Sequence, residues 1–133
     1  MKKLLKIATL ALAVVCTAVF FTACTIPSNP KKTRKNLEME GYTFNTVVEV
    51  TLKTAMGVLG VKTEDVISAT KVEEGEIDNV MLVYCTSKDT AKEMEDKIIE
   101  KLRKEYSGEG EIRYGRNGKV IYFGTEDGVE DCN

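Results

Sequence analysis

Four cysteines carry the most reactive side chains of this sequence: Cys16, Cys24, Cys85 and Cys132. A thiolate can act as a nucleophile, bind a metal ion or form a disulfide. A structural zinc site needs about four closely spaced Cys or His ligands, and the sequence contains no histidine. The lack of histidine also removes the commonest general base. We therefore predict no catalytic residue, no metal site and no bound cofactor.

Two clusters of other residue types could bind a charged ligand. Four acidic residues lie close together: Glu73, Glu74, Glu76 and Asp78. Their spacing is not that of an EF-hand loop, and a solvated hairpin loop is the favoured interpretation over a calcium site. Four glycines follow later in the chain: Gly108, Gly110, Gly115 and Gly118. They surround a predicted hairpin and do not join a strand to a helix, so turn glycines explain them better than a phosphate loop.

Cys24 ends an unusual N-terminal segment. Three lysines precede an uncharged run over residues 7–26, and Phe21, Thr22 and Ala23 come directly before the cysteine. A basic start, an apolar stretch and a small residue are typical of an export signal. The segment resembles the signal of a bacterial lipoprotein, although Phe21 stands where that family usually has leucine. The resemblance implies cleavage before Cys24 and attachment of diacylglycerol to its sulfur.

Two alternatives to lipidation remain open. The uncharged run is 20 residues long, which is enough for a helix to span a bilayer without being cleaved. Ordinary signal cleavage after Ala23 would release the protein, but it would place Phe21 where a small residue is preferred. We predict a signal peptide over residues 1–23, a lipid-anchored basic linker over residues 24–35, and one domain over residues 36–133. The protein would then lie on the extracytoplasmic face of the cell membrane.

Charge is distributed unevenly along the chain. Four basic residues follow the cysteine and form a predicted basic neck: Lys31, Lys32, Arg34 and Lys35. Such a neck would strengthen binding to anionic headgroups, or would simply solubilise the linker. Residues 36–133 contain all 21 acidic residues and 12 of the 19 basic ones, which gives the domain a net charge of −9. An acidic domain argues against nucleic acid as a partner.

The periodicity of the domain predicts its elements. We expect a helix over residues 32–40, a strand over 42–50 and a short helix over 52–59. Strands over 66–72 and 79–86 would form a hairpin around a loop at 73–78. Ser87 is a suitable N-cap for a long amphipathic helix, whose apolar residues recur every three or four positions. Thr125 would cap a single helical turn in the C-terminal tail.

Asn117-Gly118 predicts a second hairpin, because this dipeptide readily adopts the positive φ angles of a two-residue turn. Pairing outward from that turn sets Tyr114 opposite Ile121 and Ile112 opposite Phe123. These apolar side chains would share one face of the sheet, and a slip by one residue would reverse the face of every side chain.

The order of elements predicts an α+β fold, a two-layer sandwich with a mostly antiparallel sheet. Six of the elements match a ferredoxin-like βαββαβ arrangement, to which the chain adds an N-terminal helix and a C-terminal hairpin strand. The domain also resembles small extracytoplasmic proteins of Gram-positive bacteria with no assigned activity, through residues 35–38, 41–42 and 118–127. Such a fold predicts no particular function.

Two function classes are compatible with these features. The favoured one is a membrane-anchored module that is not an enzyme and that binds a protein or small ligand through its sheet face or through Tyr114, Tyr122 and Phe123. The alternative is a small envelope enzyme that uses carboxylates or a thiol. Cys85 and Cys132 could form a disulfide after export, because the extracytoplasmic compartment is oxidising. A buried free thiol at Cys85 is an equally reasonable expectation, since Met81 and Val83 share its strand face.

Overall fold

The computed structural model describes residues 25–106, 108 and 110–133. The predicted signal peptide and Cys24, the predicted lipidation site, lie outside the described residues. The strands are β1 Thr43–Phe44, β2 Thr63–Glu73, β3 Glu76–Cys85, β4 Ile112–Asn117 and β5 Val120–Thr125. The helices are α1 Pro30–Met39, α2 Thr46–Leu59, α3 Lys88–Glu105 and α4 Glu126–Glu130.

The five strands form one antiparallel sheet in the order β1-β2-β3-β5-β4, which confirms the α+β class. Strand β5 lies between β3 and β4, so β3, α3 and β4 form a split βαβ unit of the kind that a ferredoxin-like fold contains. The first half of the chain departs from that arrangement. Strands β1 and β2, which flank α2, pair directly and antiparallel to each other. The ferredoxin-like strand order is therefore not seen.

Apolar side chains are buried on both faces of the sheet. One core packs β2, β3 and β5 against α2 and α3, through residues such as Met56, Met81 and Leu102. The opposite core packs the same strands against α1 and α4, through Leu37, Leu82 and Val129. Alternate residues of a strand point to opposite faces, so the central strand β3 is buried on both sides from residue 80 to residue 85. Helices on both faces make three layers where we expected two.

The N-terminal part of the described chain is packed against the domain and is not a linker. Helix α1 begins at Pro30, with Asn29 as its N-cap, and buries Leu37 in the α1/α4 core. Upstream of the helix, Ile26 is only 5% exposed. The Tyr84 hydroxyl donates a hydrogen bond of 2.7 Å to the carbonyl of Pro27. The predicted linker over residues 24–35 is therefore wrong from Ile26 onward, because apolar burial and this hydrogen bond fix the segment to the sheet.

The strand predicted over residues 42–50 is mostly helical. Only Thr43 and Phe44 are extended, and α2 begins at Thr46. The β-branched residues of this stretch favour a strand. Tertiary contacts outweigh that propensity, because the helix turns Glu49 toward the sheet, where its carboxylate accepts a hydrogen bond of 3.0 Å from the amide of Ser68. The predicted end of the helix is confirmed by Gly60, whose φ of 80° is left-handed.

Both hairpins differ in detail from the prediction. Strands β2 and β3 turn through Glu74 and Gly75 alone, and the two positive φ angles of 51° and 80° are those of a type I′ turn. The second hairpin turns at Gly118, with a φ of 63°, and Lys119. Tyr114 therefore pairs with Phe123, two residues from its predicted partner. A shift of two residues preserves the face of each side chain, so the predicted faces remain correct.

Candidate functional site

The three aromatic residues that we predicted as a binding surface do not share one face of the sheet. Tyr122 is buried in the α1/α4 core and Phe123 in the α2/α3 core, on opposite faces of the sheet. Tyr114 is 51% exposed and stacks on Phe123, with ring centroids 5.7 Å apart. The Arg103 guanidinium also lies 5.0 Å from the Tyr114 centroid. Tyr114 and Phe123 therefore pack against each other on one face of the sheet, while Tyr122 lies on the other face, so the three rings do not form one binding surface.

Both described cysteines are buried free thiols. Cys85 lies in the α2/α3 core, as its strand position predicted, and Cys132 lies in the α1/α4 core. The sheet separates them, so the possible disulfide is not formed. Burial raises the pKa of Cys85 to about 11, and burial together with the charge of Asp131 raises the pKa of Cys132 to about 12. Thiols that stay protonated at neutral pH are poor nucleophiles.

The acidic cluster surrounds the tip of the β2–β3 hairpin. Glu73, Glu74 and Glu76 are exposed, and Asp78 accepts a hydrogen bond of 3.1 Å from the Thr125 hydroxyl. Within the described residues, no group of three or more His, Cys, Asp or Glu side chains is arranged to hold a metal ion. Gly118 lies in the turn of the second hairpin, which is the role that we favoured, whereas Gly115 lies within β4, where it pairs with Tyr122.

The basic neck lies on α1, and its members have different environments. Lys31, Lys32 and Lys35 are exposed. Arg34 instead contacts the sheet, where its Nε and Nη2 donate to the two oxygens of Asp65 at 2.9 and 3.0 Å. Its Nη1 donates to Glu49 at 3.0 Å. Three of the four basic residues therefore remain available to an external partner.

A cleft of about 670 Å³ lies on the α2/α3 face of the sheet. It opens between the start of α2 and the end of α3, over the end of the β2–β3 hairpin. Its polar lining comes from Asn45, Ser68, Thr70, Asn79 and Glu105. Its apolar lining comes from Val48, Val72, Ile77 and Met81. The volume and the mixed lining are those of an ordinary small-ligand site.

The cleft exists because the hairpin extends beyond the two helices. Val72 and Ile77 pair across the hairpin and are 68% and 56% exposed, although both are large and apolar. Residues further along the same strands, such as Met81, are covered by the helices. The sheet therefore offers a surface that is apolar at the hairpin end and becomes polar at Ser68, Thr70 and Asn79, where the helices begin to cover it.

The floor of the cleft is held in place by a hydrogen-bond network. The side-chain amide of Asn45 donates to the hydroxyls of Ser68 at 3.3 Å and Thr70 at 2.9 Å. Its backbone amide donates to the Ser68 carbonyl at 2.8 Å. Because Asn45 uses its side chain in this way, it makes no capping hydrogen bond to α2. A residue placed to cap a helix instead fixes the orientation of two hydroxyls in the cleft.

Asn79 supplies the least satisfied polar atom of the cleft. Its Oδ1 is buried and has no hydrogen-bond partner. Leaving a buried acceptor unpaired costs about 1–3 kcal/mol, so native structures contain few such atoms. A ligand with an N–H or O–H group at this position would supply the missing donor. The carboxylate of Glu105 also lines the cleft, which favours a neutral or cationic ligand over an anionic one.

A charged cluster supports the floor from one side. Glu49 accepts hydrogen bonds from both Arg34 and the backbone amide of Ser68, so it connects α1 and α2 to the strand that lines the cleft. Burial of Asp65 opposes its ionisation, but the hydrogen bonds and positive charge of Arg34 outweigh burial and lower the pKa of Asp65. The Arg34–Asp65 pair is therefore ionised at neutral pH and fixes β2 to α1.

Sequence reasoning did not find this cleft. The sequence feature that could have indicated the cleft is the placement of polar residues at inward-facing positions of otherwise apolar strands. Ser68 and Thr70 share a face of β2 with Val66, and Asn79 shares a face of β3 with Met81. Polar side chains on the core-facing side of a sheet require partners, and such a break in the apolar pattern identifies a candidate site.

The described residues form an α+β domain with an open cleft of mixed polar and apolar lining. No family model, curated protein or solved structure matches the chain. Among the described helices, none has the length and apolar character needed to cross a membrane.

Proposed function

We propose that this protein is an exported lipoprotein that is anchored by Cys24 to the extracytoplasmic face of the cell membrane. Its domain would be a non-catalytic module that binds a small ligand or a peptide segment in the cleft. The observation that carries the binding role is the unpaired Asn79 Oδ1 in the floor of a cleft with exposed apolar walls. The lipoprotein-like residues 21–24 support the anchor.

The lipoprotein-like residues 21–24 favour this anchor over an uncleaved spanning helix. Ile26 is the last residue of the uncharged run, and it is packed in the α1/α4 core. A residue held in the domain core cannot also lie in the bilayer, so the run available for spanning is residues 7–25, which is still long enough for a helix to cross a bilayer. Intact-mass measurement of the protein from host membranes tests the anchor. A chain that begins at Cys24 with added diacylglycerol mass is expected, and a chain that retains Met1 contradicts it.

A binding role is also better supported than the alternative enzyme. Acid–base catalysis by carboxylates would need two carboxyl groups that converge in a pocket with perturbed pKa values. The cleft has a single carboxylate among its lining residues, that of Glu105. A second depression, at the tip of the β2–β3 hairpin, is lined by several carboxylates, but all of them are exposed or half-buried, so it does not enclose a carboxyl pair. Catalysis by a thiol would need an accessible thiolate, whereas the two described thiols are buried and have raised pKa values.

The chemistry of the cleft indicates the kind of ligand. Val72 and Ile77 would contact an apolar group, while Asn79 and Glu105 would accept hydrogen bonds from the ligand. A peptide segment or an apolar amine has both features. We expect that such ligands raise the melting temperature of the protein, because a ligand that binds only the native state stabilises it.

Screening a library of short peptides and apolar amines by thermal shift, with the full-length chain in detergent, tests this role. Asn79→Leu has a similar shape and removes the acceptor, so we expect about tenfold weaker binding of any ligand that uses it. Asn133→Leu, at the exposed C-terminus, is the matched control and should bind normally. Ligands that bind Asn79→Leu as tightly as the unaltered chain would contradict the proposed site.

A further inference from the structure

The two ends of the sheet carry opposite charge. At one end, the last residues of β3 lie beside the residue before β2 and beside the β4–β5 turn. The amide of Thr86 donates to the Lys62 carbonyl at 3.2 Å, and the amide of Cys85 donates to the Lys119 carbonyl at 2.9 Å. Lys88 follows at the start of α3, with its Cε 3.9 Å from the position that a Cβ at Gly118 would take. We call this end the basic pole.

The start of the described chain lies at the same pole. Pro27 accepts its hydrogen bond from Tyr84, next to Cys85. A shallow depression there is lined by residues 28–31 together with Glu64 and Lys119. The pole thus brings together four lysines against the carboxylates of Glu64 and Asp89: Lys31, Lys62, Lys88 and Lys119. Lys31, Lys62 and Lys88 are exposed, and Lys119 forms an ion pair with Glu64.

The opposite end, which we call the acidic pole, holds the tip of the β2–β3 hairpin and the end of β5. A depression there is lined by five carboxylates: Glu76, Asp78, Glu111, Glu126 and Asp127. The exposed Glu73 and Glu74 lie at the same tip. The ligand cleft opens at this end, because Val72, Gly75 and Ile77 belong to the same hairpin.

Covalent geometry determines which pole lies nearest the anchor. Two peptide units separate Cys24 from Ile26, so their Cα atoms lie within about 7.6 Å of each other. Because Ile26 is buried in the domain, no flexible linker follows the lipid-bearing residue. A lipid chain on Cys24 therefore brings the end of the domain that holds Pro27, which is the basic pole, nearest to the headgroups, whose charge acts over a Debye length of about 8 Å at physiological ionic strength.

The acidic pole lies much farther away. Strand β3 runs between the two poles over its 10 residues, which corresponds to about 30 Å. This separation exceeds the Debye length severalfold, so repulsion between the acidic pole and the membrane is screened. The acidic pole therefore opposes attraction at the basic pole only weakly, and at the basic pole itself four lysines outnumber the carboxylates of Glu64 and Asp89.

We propose that the basic pole, through Lys31, Lys62 and Lys88, contacts the anionic membrane surface and orients the domain with its acidic pole away from the membrane. The cleft then faces away from the membrane, and its ligand arrives from the aqueous side. This orientation rests on the proposed lipid anchor at Cys24. It differs from the predicted basic neck, because most of the contacting lysines belong to the folded domain and Arg34 takes no part.

Lysine acetylation of the full-length lipidated protein on vesicles, read by mass spectrometry, tests the orientation. The probes are vesicles of phosphatidylcholine with phosphatidylglycerol, and vesicles of phosphatidylcholine alone. We expect several-fold slower acetylation of Lys31, Lys62 and Lys88 on the anionic vesicles, with the effect lost at high salt. Lys97 and Lys104, on the exposed face of α3, are internal references and should react equally on both.

Two double variants distinguish the effect of lysine contacts at the basic pole from the effect of the overall net charge. Lys62→Glu with Lys88→Glu should abolish the protection of Lys31. Lys97→Glu with Lys104→Glu makes the same change in net charge at positions about 14 and 24 Å along α3 from Lys88, and should preserve the protection. Unfolding temperatures of both variants would establish that each is folded.

Two outcomes overturn the proposal in different ways. Equal acetylation of all lysines on protein that sediments with the vesicles would contradict the orientation and leave the anchor intact. Protein that does not sediment with either kind of vesicle would contradict the anchor itself, and the orientation with it.

Discussion

Arg34 and Asp65 form a bidentate ion pair between α1 and β2, with N–O distances of 2.9 and 3.0 Å. The same guanidinium also donates to Glu49 on α2 and to the carbonyl of Val66, both at 3.0 Å. One side chain of the predicted basic neck therefore joins a helix on one face of the sheet to a helix on the other. This contact explains why the chain upstream of residue 36 belongs to the domain.

Removal of the guanidinium should destabilise the fold. Arg34→Met leaves two carboxylates without their main partner, and we expect a loss of about 1–3 kcal/mol in the free energy of unfolding, since the side chains are about a quarter exposed or less. Urea unfolding measures the loss. Lys35→Met, on an exposed neighbour, is the matched control and should change stability little.

The same ion pair should make stability depend on pH. Because the folded state lowers the pKa of Asp65, the stabilisation is complete above its unfolded pKa of about 3.9 and is lost as the pH falls through the lower, folded pKa. The difference in unfolding free energy between the unaltered chain and Asp65→Asn should therefore be largest near neutral pH and should shrink below about pH 4. A difference that stays constant down to pH 2 would contradict this account.

Tyr84 should control how firmly the N-terminal segment is held. Its hydroxyl is hydrogen-bonded to Thr33 in α1 and to the Pro27 carbonyl. In Tyr84→Phe both partners lose this bond, and we expect a loss of about 1–2 kcal/mol together with faster hydrogen exchange in α1. Tyr114→Phe is the control, because that ring is half exposed. Unchanged exchange in α1 would show that the hydroxyl does not fix the segment.

Substitution by alanine should change the stability of the protein in opposite directions at two glycines. A Cβ at Gly124 would lie 2.4 Å from the carbonyl oxygen of Asn79, so Gly124→Ala must separate β5 from β3. We expect a loss of about 2–4 kcal/mol from this distortion. A Cβ at Gly57 would meet nothing within 4 Å on exposed α2, and Gly57→Ala should stabilise the protein by about 0.5–1 kcal/mol. Thermal unfolding of the two variants compares them directly.

The buried thiols should be unreactive in the folded protein. With pKa values of about 11 and about 12, Cys85 and Cys132 carry little thiolate at pH 7.5. We expect iodoacetamide to modify both positions only in denaturant, as measured by peptide mass spectrometry. A reductant should leave the melting temperature unchanged, because no bond joins them. Recovery of a linked pair of peptides from the oxidised protein would contradict this arrangement.

Local sequence determined much of the secondary structure. Ser87, Gly60 and Thr125 mark helix ends at the predicted positions, because caps depend on side chains and φ angles a few residues apart. The apolar stripe of α3 likewise predicted its buried face, since helical periodicity follows from backbone geometry alone. The α+β class followed from the order of these elements.

Tertiary structure determined the features that depend on contacts between residues far apart in the sequence. Residues 46–50 have strand propensity, yet Glu49 lies on a helix because its partners Arg34 and the Ser68 amide are far away in sequence. The strand order, the burial of Ile26 and the separation of Cys85 from Cys132 likewise follow from packing on two faces of one sheet. The sequence determined the export-like segment, the helix caps and the acidic charge of the domain. Only the assembled sheet created the cleft and the two charged poles, because each is formed by residues that meet only in space.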